Sequence, residues 1–190
     1  MHIYVPLINN VCRISISYVL KVMNENDIKY FSKFLEEFQK ETDRGAVLVG
    51  IALIDDRLER ILKNHFLNSK ESEDLLNGIN APLGTFSSRN KLAYCLGLIT
   101  QLELQEIKVI QKVRNLFAHE VHGLTFNDSK VSDFCKYLKA NTPDPNRFNN
   151  NTRSLFINSV VLTSLALWYR PEHASKYKAE ESTWDFQLST

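Results

Sequence analysis

Apolar residues recur along most of this chain at three- and four-residue steps, the period of an amphipathic helix and not the alternation of a strand. From Asp27, a helix-capping residue type, Ile28, Phe31, Phe34, Leu35 and Phe38 mark one face through Lys40. Val47, Ile51, Ile54, Leu58, Ile61 and His65 then make a near-heptad stripe, backed by Leu48, Leu62 and Phe66, which predicts a central helix over 43–67. On it, Asp56 with Arg60 and Glu59 with Lys63 are spaced as favourable i,i+4 pairs. A short acidic helix over 72–77, ended by Gly78, leads into the loop Asn80-Ala81-Pro82-Leu83-Gly84. Residues 85–98 read as the next helix, ending near Gly97. Leu104, Ile107, Ile110, Val113 and Phe117 line the inward face of a helix over 101–119, and Phe134, Tyr137 and Leu138 that of another over 131–139.

The two ends of the chain read differently. Residues 1–20 are apolar enough to suggest a secretory signal, but they lack a basic start and a small-residue cleavage site, and they contain Asn9-Asn10 and Arg13. No signal peptide is expected. Ile14, Ile16 and Tyr18 alternate with Ser15 and Ser17, so 1–26 is either a small hairpin turned at Asn9-Asn10 or an extension. Residues 142–151 form a polar loop, and 154–169 a strongly apolar helix, short for a bilayer and holding Asn158, Ser159, Thr163 and Ser164. A buried helix or a dimerisation helix, hence a homodimer, fits it. A polar tail over 171–190 is expected to be loosely held. The sum is an all-α bundle of about six to seven helices, one domain over 27–170 between an N-terminal extension and that tail.

Composition narrows the function. In 190 residues, 23 Lys and Arg face 22 Asp and Glu, a net charge of +1, with no long basic run. A protein that holds duplex DNA by itself usually carries a basic footprint, so direct duplex DNA binding is not expected. Cys12, Cys95 and Cys135 are odd in number and far apart, which fits reduced thiols in the cytoplasm, with Cys95 and Cys135 as core thiols. The chain has no Gly-rich phosphate loop, zinc spacing or nucleophile elbow, so no cofactor, metal or membrane partner is expected.

The residues most able to do chemistry are Arg114-Asn115-Leu116-Phe117-Ala118-His119, at the end of the 101–119 helix. Asn115 and His119 share a face, and Arg114 lies roughly 140° round the axis from His119, within reach by its long stem. Arg can fork onto a phosphate, and His changes charge near neutral pH. The plainer reading pairs Arg114 with a bundle carboxylate and lets His119 cap the helix. In Glu41-Thr42-Asp43-Arg44-Gly45, Thr42 or Asp43 caps the central helix and Glu41 pairs with Arg44, or these groups face Arg114 and His119 across the bundle. Gly84-Thr85-Phe86-Ser87-Ser88-Arg89 is a helix start able to meet an anion, or simply one capped by Thr85 or Ser87 with Arg89 solvated or salt-bridged. The candidate polar cluster is therefore Glu41, Asp43, Arg44, Arg89, Arg114, Asn115 and His119. His65 and His122 lack such company.

Taken in order, Glu41 to Gly45, Asn80 to Arg89, Lys91-Leu92-Ala93-Tyr94 and Arg114 to His119 resemble the mannitol operon repressor family across about residues 28–140. The resemblance implies an all-helical bacterial regulator without a DNA-binding motif, acting on sugar-alcohol genes through a protein partner such as another transcription factor or regulator. The last block also resembles the HEPN signature of an Arg, a polar residue, three others and a His. That resemblance implies a dimeric, metal-independent endoribonuclease, toxin-like, with RNA as substrate, Arg114 as phosphate clamp and His119 as acid or base.

Overall fold

The computed structural model describes residues 24–120, 123–139 and 151–183. Over them the chain forms eight helices and no strand: α1 (Glu25–Lys40), α2 (Asp43–His65), α3 (Lys70–Asn77), α4 (Phe86–Cys95), α5 (Gln101–His119), α6 (Ser129–Cys135), α7 (Thr152–Leu167) and α8 (Arg170–Ser175). The all-α bundle expected from the periodicity is what forms. The candidate hairpin before residue 24, the loop over 142–150 and His122 lie outside the described residues. No helix among those described is long and apolar enough to cross a membrane.

Helix starts follow local capping chemistry. Thr42, Ser69, Thr85 and Thr100 each accept a backbone N–H from the first turn of the helix that follows, and Thr100 with Glu103 closes a reciprocal capping box. α1 begins earlier than Asp27 because Asn24 takes the cap, its Oδ1 accepting from Asp27 N at 2.8 Å. The Asp27 carboxylate receives the Tyr169 hydroxyl instead, at 3.2 Å. α4 stops at Cys95, short of Leu98, since the chain reverses at Gly97 with φ +70°, a conformation that glycine adopts without strain.

α2 is the central helix, with Ala46, Val47, Ile54, Leu58, Ile61 and Leu62 at 0 % exposure. α7 lies parallel to it. Asp43 meets Arg153, Gly50 meets Val160, and Arg57 stacks on Trp168, so the contacts climb both helices in the same direction. α5 runs opposite to both, its end meeting the start of α2 through Arg44 and Phe117, and its Glu106 and Glu103 meeting Ser159 and Arg170. Phe117, Phe126 and Phe156 chain together at centroid distances of 5.5 and 5.2 Å, joining α5, the loop before α6 and α7.

The apolar 154–169 helix is α7, buried within the chain itself, as the first of its two readings has it. Two expectations need correction. Residues 171–179 are not loosely held: Pro171 stands in the first turn of α8, Ala174 is buried, and Ala179 N donates to the His65 carbonyl at 2.7 Å. Of the two thiols read as core, only Cys135 is buried, and burial pushes it up to about 12; Cys95 is exposed at the end of α4.

Candidate functional site: a junction of four helix ends

The run of α2 and α7 against α5 places two helix N-termini, those of α2 and α7, beside the C-termini of α1 and α5. N-terminal ends carry partial positive charge and C-terminal ends partial negative charge with unpaired carbonyls. Two arginines exploit this. Arg44, in the first turn of α2, donates from Nη1 to Phe117 O and from Nη2 to Glu120 O, each at 2.5 Å. Arg153, in the first turn of α7, donates from Nη2 to Gln39 O at 3.3 Å and to Glu41 O. Each cation stands where its own helix disfavours it and reaches the carbonyl end of a neighbour that favours it.

Asp43 completes the junction. Its Oδ1 accepts from Arg153 Nε and its Oδ2 from Phe126 N, both at 3.0 Å. One carboxylate at a helix N-terminus thus fixes the start of α7 and the loop before α6. Thr42, and not Asp43, is the side-chain cap of α2, accepting from Gly45 N at 3.0 Å.

Two of the candidate residues, Asp43 and Arg44, are at the centre of this junction, and Glu41 contributes its carbonyl. Glu41 and Arg44 form no ion pair; Arg44 is engaged with α5, and the Glu41 carboxylate lies against Gly45, where a β-carbon would collide with it. Arg114, Asn115 and His119 sit on the outer side of the same α5 end. Arg114 and His119 are exposed and Asn115 is half-buried. Arg114 Nη1 donates to Asn115 Oδ1 at 3.3 Å, and among the described residues the His119 ring makes no hydrogen bond. Asn115, on the same face as His119, is thus engaged by Arg114 and not by the imidazole.

Arg89 belongs to a different place. Its side chain is 8 % exposed and pairs with Asp55 at 3.0 Å and Glu59 at 3.1 Å, about 18 Å along α2 from Asp43. It also donates to Leu83 O at 2.9 Å, Leu76 O at 3.0 Å and Asn77 Oδ1 at 3.4 Å. With its donors so committed, Arg89 ties α3 and the loop before α4 onto α2. Glu59 is thereby taken from Lys63, which pairs with Glu73 at 2.5 Å; Asp56 and Arg60 do pair, at 2.9 Å.

Sequence reasoning missed Arg153 and Arg57. The one signal for Arg153 is a lone cation opening an apolar helix, with apolar Phe156 and Ile157 where a carboxylate partner would stand at i+3 or i+4. Arg57 interrupts the apolar stripe between Ile54 and Leu58. It is 8 % exposed, its guanidinium carbon lies 3.9 Å from the Trp168 ring centroid, and desolvation pulls its pKa down despite nearby Asp56.

The junction is therefore internally satisfied, a lock between helix ends, while the groups free to meet another molecule lie just outside it on α5. No curated protein matches the chain. In the X-ray structure of the MtlR–HPr complex from Escherichia coli, one chain is similar over 77 % of this chain and 97 % of its own length, with 22 % identity and a TM-score of 0.51. At that identity the likeness speaks to the fold. The family model described as mannitol repressor matches residues 32–162, from within α1 to within α7, and so runs past the resembling span that ends near residue 140. That span takes in the junction, the Arg89 lock and the Arg114 to His119 end, and the chain belongs to the mannitol repressor family.

Proposed function

We propose that the protein is a transcriptional regulator of the mannitol-repressor kind that works by binding another protein and not by reading duplex DNA. Membership in the family carries this reading. The structural relative comes from a complex of MtlR with HPr, so HPr, and not a second transcription factor, is the first partner to test here. The net charge of +1 over 190 residues supports the same view, because sequence-independent affinity for duplex DNA comes chiefly from many phosphate-neutralising cations.

The test pairs calorimetric titration of the purified chain with HPr and a salt-dependent operator shift assay. Binding of HPr with no operator shift is expected. Operator-specific binding by the chain alone, with no response to HPr, would overturn the proposal. The ribonuclease alternative rests on six residues whose Arg114 and His119 do not meet. It would replace this reading if the protein cleaved RNA in chelator and both Arg114→Ala and His119→Ala lost that cleavage.

A further inference from the structure

α5 carries its charges in two sets. Its carboxylates are engaged within the fold: Glu103 with Arg170 and Thr100 N, both at 2.7 Å, and Glu106 with Ser159 Oγ at 2.5 Å and Lys139 N at 2.8 Å. Glu120, the cap residue, lies 3.8 Å from Lys130. Lys108 and Lys112 face the other way, in line with an amide and an imidazole. Lys108, Lys112, Asn115 and His119 follow one another at steps of four, three and four residues, which on a helix is one straight row about 16 Å long. The row lies opposite the buried Ile107, Ile110, Val113 and Phe117. Arg114 borders it through its bond to Asn115.

Lys112 and His119 are exposed and Lys108 is half-buried. Among the described residues, neither lysine nor His119 makes an ion pair. Lys112 Nζ lies 5.7 Å from the Phe134 ring centroid, a contact that holds the ammonium without neutralising it. In a molecule of net charge +1, the two lysines, bordered by Arg114, make a positive strip that no carboxylate pairs with among the described residues.

We propose that this outward row of α5 docks an acidic face of a protein partner, most simply a helix bearing carboxylates at i,i+4 spacing, whose rise of about 6 Å matches that of Lys108 and Lys112. The inference rests on the protein-partner reading above and places one such contact on the molecule. RNA fits less well: single-strand binding combines cations with rings open for bases to stack on, whereas the Phe134 ring beside this row is half-buried and lies under Lys112.

The probe is a fluorescent helical peptide with glutamate at every fourth position, set beside an oligouridylate and followed by anisotropy at low and physiological salt. The wild type binds the peptide, and Lys108→Glu/Lys112→Glu weakens it by about tenfold or more. Lys29→Glu/Lys33→Glu, reversing two exposed cations of α1, keeps the wild-type affinity; circular dichroism establishes that both variants fold. The inference is overturned if the wild type ignores the peptide, if the α1 variant loses as much as the α5 variant, or if the oligouridylate binds more tightly through the same lysines. HPr titrated against the wild type separates the two levels. Peptide binding that is indifferent to α5 alongside intact HPr binding removes only this docking surface, whereas absent HPr binding strikes the regulator reading itself.

Discussion

The guanidinium of Arg44, in the first turn of α2, donates to the carbonyl of Phe117, in the last turn of α5, and so joins two sequence blocks 73 positions apart. A second bond from the same fork reaches Glu120 O. Both acceptors are carbonyls that a helix end leaves without an intrahelical partner, and the donor is charged. Arg44→Met should therefore lower unfolding free energy by about 2–3 kcal/mol, read as a shift in urea midpoint at unchanged slope. Arg44→Lys should recover only part, because an ammonium cannot span two carbonyls as a planar fork does.

Arg89 is a larger dependency. Removing it leaves Asp55 and Glu59 side by side, each with 31 % of its side chain exposed, and strips the Leu76 and Leu83 carbonyls of their donor. Arg89→Met should cost about 3 kcal/mol, the low end for a broken buried pair because water still reaches both acids. Adding Glu59→Gln should restore part of the loss, and a double-mutant cycle measures how much.

Gly50 marks a close approach of α2 to α7. A β-carbon there would lie 3.1 Å from both Val160 methyls and 3.3 Å from the Phe38 ring, and those side chains are 0 % and 1 % exposed. Alanine gains about 1 kcal/mol of helix propensity over glycine, but overpacking an immobile core costs about 1–3 kcal/mol. Gly50→Ala should thus lower the thermal midpoint. In a Val160→Ala background the same change should raise it.

Cys135 should be chemically silent until the protein opens. Burial lifts its thiol from an ordinary 9.0 to about 12, so the native state favours the protonated form. In a Cys12→Ser/Cys95→Ser variant, Ellman's reagent should find no thiol at pH 8 until urea unfolds the chain. The sign of the linked stability follows: the contribution is present below the thiol's unfolded value and is lost as pH rises from near 9.0 toward about 12. Cys135→Ala should flatten that alkaline decline, measured as urea midpoint against pH.

What was legible in the sequence was what is decided locally. The bounds of α5 follow from an unbroken apolar face, and Thr42, Thr85 and Gly78 act at their helix ends by rules that reach only a few residues. The start of α1 was not legible, because Asn24 and Asp27 are both capping types and the choice goes with the hydroxyl of Tyr169, 142 positions away. Pro171 read as the end of structure, yet proline also opens helices, and Ala174 anchors α8 in the core. In the candidate cluster, Asp43 and Arg44 were legible as residues and not as contacts. Their partners are the Phe117 and Glu120 carbonyls and the Phe126 amide, backbone groups with no signature in the sequence. Arg89 was separated from them only once Asp55 and Glu59 were seen to claim it.

The parallel pairing of α2 with α7 has a consequence for synthesis. Asp43 and Arg153 are 110 positions apart, so the groove of α2 that receives Val160 and Trp168 emerges from the ribosome well before the helix that fills it. Closing so long a connection adds little entropy beyond closing a shorter one, but it delays the event. Until α7 has been translated, the central helix keeps an open apolar flank available to chaperones and to neighbouring nascent chains, so the vulnerable interval of this fold runs from the emergence of α2 to that of α7.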